Sequence, residues 1–349
     1  MTKTNAGLDL SASTDDLRDF LRKNDLSTYL STKERESARI EQSRSGTIPQ
    51  GLKLGWEDVD RHFRLKLGNL VIMNGHDNVG KSFIVWYLQT ISALKYNWKW
   101  IMFCAENRSA DIRVQIAEFV GGKLAKFMTD DEFAMNIEFS YTFFEIIEFE
   151  DSVEDVESCD KIIEIAERII AEKGQFQGLL IDPYNSLDID ISALDRRLST
   201  HDYHYICAKN LRKFAKKHNI AVWVNMHAVS EALRKVDKDG YSMPPQKADT
   251  EGGGKFANRA DDFITWHRYV QDASRSMTTE GHVRKIKDTK TGGKCTDLKN
   301  PINLTWRAVN GFYGFYTGDD FCPLSNKKTP EHFTPERFPE TDNVYDKPF

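Results

Sequence analysis

What the chain lacks narrows it first. Nowhere in its 349 residues does an apolar run approach the ~20 positions that a membrane-spanning helix needs. The amino terminus, MTKTNAGLDLSAST, has no basic flank followed by an apolar core and does not read as a secretory leader. The five cysteines (Cys104, Cys159, Cys207, Cys295, Cys322) are odd in number, scattered and never paired as CxxC. That excludes a disulfide framework and a zinc knuckle and points to a reducing, cytoplasmic setting. Internal repeats are absent. Positive charge is not in excess either: the net charge is −5, which by itself argues mildly against nucleic acid. Location matters more than the sum, because residues 145–160 alone hold eight carboxylates and no Lys or Arg, which hides basic clusters elsewhere.

What is present is an ordinary soluble composition, 40% hydrophobic and 29% charged, with length enough for one large domain or two small ones. Three segments follow from it. Residues 1–50 are polar, with an amphipathic helix expected over 15–30 and a charged run from Lys33 to Arg44, and read as an arm that packs on a neighbouring subunit. Residues 51–318 alternate strands and helices. Strands are expected at 69–74, 100–105, 145–149, 178–181, 221–225, 262–266, 282–286, 302–308 and 312–317, and helices at 81–95, 111–121, 154–173 and 202–218. Such alternation predicts an α/β domain with a mostly parallel sheet covered on both faces, closed by an antiparallel hairpin around Asn310-Gly311. Residues 319–349 are acidic, contain proline and read as a tail.

The strongest local signal is Gly75, His76, Asp77, Asn78, Val79, Gly80, Lys81 and Ser82, which fits G-x-x-x-x-G-K-[ST] between an apolar strand and an amphipathic helix. Glycines there let backbone N–H groups converge on phosphate oxygens at a helix N-terminus. Lys81 is expected to reach the β- and γ-phosphates of ATP, Ser82 to ligate Mg²⁺, and Phe83 to follow in the helix's first turn. A second element, Gly178 to Asp182, is an apolar strand ending in a carboxylate, with Asp182 expected to hold the same Mg²⁺.

Four further motifs stand in order. Trp100 to Glu106 is an apolar strand ending in a carboxylate, and Val222 to His227 a strand ending in a polar side chain. Gly252-Gly253-Gly254 leads through Arg259-Ala260-Asp261-Asp262 into another strand, and Arg284-Lys285-Ile286-Lys287 precedes Thr291-Gly292-Gly293. This ordered set, over 51–318, resembles the RecA-like ATPase domain of the DnaB-like replicative helicases, the hexameric helicases of superfamily 4. The resemblance implies that Glu106 is the base that polarises the attacking water and that His227, where the family often has glutamine, senses the γ-phosphate. It implies that Lys285 and Lys287 match a Lys-x-Arg pair reaching into the next subunit's nucleotide site. Here Lys stands where the family has arginine, and a point ammonium lacks the guanidinium fork, so Arg284 is the alternative cation.

A cation acting in trans implies a ring, so the expected assembly is a homo-oligomer, a hexamer by resemblance, moving 5′→3′ on single-stranded DNA at a fork. Contacts to DNA are expected from Arg196 and Arg197 in one loop and from Arg234, Lys235, Lys238 and Lys247 in another. The short segment before the core reads as that of a compact, phage-type member with its primase elsewhere. The end, Tyr345 to Phe349, resembles partner-docking tips and is expected to meet a primase, a polymerase or a single-stranded-DNA-binding protein. Two other readings remain open: a RecA-class strand-exchange recombinase, and a loading or regulatory module that uses ATP as a switch.

Overall fold

The computed structural model describes residues 31, 33–149, 157–189, 199–309, 312–317 and 324. The chain divides into two units, Met1–Pro49 with Val344–Phe349, and Gln50–Asn343. In the first, the described helix is α1, Lys33–Ser45. It occupies what reads in sequence only as a charged run, because Lys, Glu and Arg are good helix formers even where no apolar stripe marks a buried face. Its last turn carries an Arg44–Glu41 ion pair at 2.7 Å. The expected helix over 15–30 and the tail after 324 lie outside the described residues.

The second unit runs α2 (Glu57–His62), β1 (Leu70–Gly75), α3 (Lys81–Tyr96), β2 (Trp100–Cys104), α4 (Ser109–Gly121), α5 (Asp130–Phe143), β3 (Phe144–Ile147), α6 (Cys159–Lys173), β4 (Gly178–Asp182), α7 (Thr200–His218), β5 (Ala221–His227), α8 (Gly253–Arg259), β6 (Asp262–Arg268), β7 (Thr278–Ile286), α9 (Thr289–Gly292), β8 (Ile302–Val309) and β9 (Phe312–Tyr316). The strands form one sheet in the order β3-β2-β4-β5-β1-β6-β7-β8-β9. Pairing is parallel from β3 to β6 and antiparallel from β6 to β9. The architecture is therefore the RecA-like α/β arrangement expected. No helix among the described residues is long and apolar enough to cross a membrane.

The central strands are continuous apolar runs because each successive side chain enters a different layer. Val71 and Met73 of β1, Trp100 and Met102 of β2 and Trp223 of β5 face α3, α4 and α5. Leu70 and Ile72, Ile101 and Phe103, and Val222 and Val224 face α6, α7 and α8 on the other side. Trp100 and Trp223 meet with ring centroids 4.7 Å apart, so one layer is filled largely by indole. Helix α6 buries Cys159, Ile162 and Ala166, one stripe at i, i+3 and i+7. It begins at Cys159 because the Ser158 side chain accepts the Lys161 amide at 3.2 Å, later than the start expected at 154.

Helices α2, α5, α8 and α9 and the first four residues of β7 were not legible from periodicity. Helix α5 nonetheless carries its own signature, since Thr129 and Glu132 close a reciprocal capping box at its start.

Candidate active site

Parallel register sets the site. Gly75 lies beside His227 across the β1–β5 pair, and Cys104 beside Asp182 across β2–β4. The carboxyl ends of four adjacent strands thus deliver the phosphate loop, His227, Asp182 and Glu106 to one edge of the sheet, the position where open α/β sheets bind ligands.

Two glycines make the loop possible. A Cβ on Gly75 would lie 2.4 Å from the Trp266 carbonyl oxygen, so the strand end can pass β6 only without a side chain. Gly80 has φ +85°, a left-handed conformation that opens directly into α3. Lys81 is 6% exposed, and its ammonium donates to the carbonyls of Gly75 at 3.1 Å and His76 at 2.8 Å. Burial lowers its proton affinity, while Asp182, Asp77 and Glu106 raise it. Arg268, at the end of β6, donates from Nη2 to the Asn78 carbonyl at 2.6 Å and braces the loop from the side. Nothing in the sequence pattern singled out Arg268; its strand-end position beside β1 is what places it.

Asp182 is 2% exposed, and its Oδ2 has no hydrogen-bond partner among the described residues. Burial pushes its carboxyl above the usual range, opposed by the neighbouring Asn225 amide, the Ser82 hydroxyl and the Lys81 charge. A buried carboxylate oxygen beside a hydroxyl and facing the phosphate loop fits a hard, oxygen-seeking cation such as Mg²⁺. No group of three or more His, Cys, Asp or Glu among the described residues could hold a metal unaided. Ser82 and Asp182 are few protein ligands, as a cation bound together with phosphate requires.

His227 lies between the loop and β2. Its Nδ1 pairs with Asp77, and its Nε2 is 3.8 Å from Glu106 Oε1. Its backbone N–H donates to Asn185 Oδ1 at 2.8 Å. Glu106 itself is 56% exposed, open to a molecule seated on the loop.

On the other flank of α3's first turn lies a cavity of about 290 Å³ lined by Phe83, Arg268, Met277, Thr279, Trp306 and Phe315. Phe83 packs edge-on against Trp306 at 4.7 Å. Of these six, only Phe83 stood among the sequence candidates. The aromatic members come from β8 and β9, far along the chain, which local motif reading cannot associate with the loop.

The remaining candidates are spread more widely. Lys285 Nζ donates to the carbonyls of Asn258 at 2.9 Å and Ala260 at 2.6 Å, closing the end of α8. Lys287 forms an ion pair with Asp261 at 2.8 Å, shared with Arg212. Arg284 is half-buried and its Nε has no partner among the described residues. Residues 228–250 form an excursion held at its base by an Ala228–Thr250 bridge and higher up by a Val236–Ser242 bridge. Arg234, Lys238 and Lys247 are exposed on it, whereas Lys235 is drawn down to the buried Asp249. Arg196 and Arg197 lie outside the described residues.

No protein-family model matches the chain. A Twinkle homolog protein, chloroplastic/mitochondrial, from Arabidopsis thaliana is 23% identical over 258 residues, which are 69% of this chain and 34% of that protein. The chain thus spans about a third of that relative's length. Among solved structures, the ATPase domain of a phage helicase superposes with a TM-score of 0.65 at 13% identity, covering 83% of this chain and all of that one. A DnaB-like replicative helicase, solved for its interactions with primase, gives a TM-score of 0.61 at 16% identity over 81% of this chain and 66% of its own. The Gln50–Asn343 unit has the RecA-like fold of a DnaB-like helicase ATPase domain.

Proposed function

We propose that the chain is the motor of an ATP-driven DNA helicase that works as a ring and moves 5′→3′ on single-stranded DNA. The observation that carries this reading is the meeting of Lys81, Ser82, Asp182, Glu106 and His227 at the ends of adjacent parallel strands. Glu106 polarises the attacking water, Lys81 matches charge on the β- and γ-phosphates, and backbone amides at the start of α3 hold the rest. Ser82 and Asp182 would hold Mg²⁺, whose charge helps to stabilise the phosphate oxygens. The aromatic cavity beside Phe83 takes the nucleobase against Trp306.

Within one chain Lys285 and Lys287 are occupied by α8 and Asp261, which favours Arg284 as the cation presented to a neighbouring subunit. Its guanidinium also supplies the two-pronged contact that a γ-phosphate suits. Arg234, Lys238 and Lys247 would grip DNA phosphates from the 228–250 excursion, and Arg196 and Arg197 from the preceding loop. The tail Tyr345 to Phe349 would dock on a primase, a polymerase or a single-stranded-DNA-binding protein.

Three measurements test this. Lys81→Ala should abolish nucleotide binding and turnover; unchanged affinity and rate would end the proposal. Glu106→Gln should bind ATP normally yet hydrolyse it about a hundredfold more slowly. Electron microscopy with an ATP analogue and forked DNA should give closed rings; open filaments with strand-exchange activity would instead identify a recombinase.

A further inference from the structure

In the place where a neutral glutamine is common, this chain carries an imidazole, and its phosphate loop carries a carboxylate, Asp77, that grips it. The two are separated by most of the domain in sequence and meet only because β1 and β5 are neighbours in register, Gly75 beside His227. The ring is fixed from both ends. Asn185 holds the His227 backbone N–H at 2.8 Å, Asp77 takes Nδ1, and the free Nε2 is left facing Glu106 at 3.8 Å. A carboxylate on one ring nitrogen fixes the orientation of the other and favours the doubly protonated form.

We propose that Asp77 is a positioning residue that presents His227 as an imidazolium, with Nε2–H directed at the γ-phosphate, so that a cation from the same chain reports the triphosphate. This rests on the ATPase reading above. It also fits the rest of the site, where lysine stands in the place of the expected arginine and is engaged elsewhere. The charged and titratable groups around the pair are His76 and Lys81 from the phosphate loop, Glu106 from the end of β2, and Glu251, which accepts from Asn185. Asp77 is held below the usual carboxylate range first by its hydrogen bond to His227, which keeps it charged through neutral pH. Because Asp77 is 71% exposed, replacing it leaves the core intact.

The test is steady-state ATP hydrolysis by the full chain with Mg²⁺ and single-stranded DNA, from about pH 5.5 to about pH 9. The parent should lose turnover on the alkaline side as the imidazolium gives up its proton. Asp77→Asn should move that limb down by about one pH unit and cut kcat about fivefold to tenfold near neutrality, with KM within about twofold. Asp77→Glu should restore the limb. His227→Gln should flatten it, and adding Asp77→Asn to His227→Gln should cost less than about twofold. If Asp77→Asn costs the same with and without His227, or leaves the pH profile unmoved, the inference fails while the ATPase reading stands. If Lys81→Ala retains turnover, the ATPase reading itself fails.

Discussion

Burial acts on Lys81 and Asp182 in opposite senses, discouraging the charge on each, and each is the other's compensation. His267 has no such partner. It lies on β6, 2% exposed, with its ring 4.5 Å from Tyr269 and both nitrogens unpartnered among the described residues. Desolvation pushes it from 6.5 down to about 4. The unfolded chain therefore takes up this proton first as pH falls, and folded stability drops between 6.5 and about 4, by at most ~1.4 kcal/mol per pH unit. His267→Gln should flatten that decline in thermal melts taken across the window. Trp306 tests the base cavity at the same scale. Trp306→Ala should raise KM for ATP about tenfold, since stacking a base on an aromatic ring contributes ~1–3 kcal/mol, and should leave kcat nearly unchanged.

At the scale of elements, the phosphate loop depends on the close passage of β1 beneath β6. Gly75→Ala should abolish nucleotide binding, because its methyl would meet the Trp266 carbonyl at 2.4 Å and only a shift of one strand could relieve it. Equilibrium binding of a fluorescent ATP analogue checks this. Ser158→Ala should lower stability by about 1 kcal/mol through loss of the α6 cap, measured by urea unfolding. The sequence made β1, β2, β4 and β5 and the helices between them legible, because their apolar runs and stripes are long. Helix α5 escaped since Phe133, Met135, Phe139 and Phe143 form no clean stripe, although its capping box was there to be read. The pairing of Asp77 with His227, and of Phe83 with Trp306, escaped for a different reason. Contacts between distant strands depend on strand order, which one sequence does not print.

For the whole molecule, the basic residues on the 228–250 excursion predict a steep salt dependence of DNA affinity. If each subunit of a ring engages a phosphate or two, affinity should fall by at least about a thousandfold between 50 and 200 mM salt, roughly the loss for six to ten contacts. Lys238→Ala should reduce the slope without changing ATP turnover in the absence of DNA.

The strand order has a consequence for synthesis. Leu70 finds its partners only in Val222 and Asp261, so the segment that cradles phosphate leaves the ribosome long before either neighbour exists. Until β5 and β6 emerge, an apolar ribbon ending in the phosphate loop has bare edges on both sides. Nucleotide capture is thus postponed to the end of translation, and fragments stopped before residue 262 should be insoluble whatever ATP is supplied.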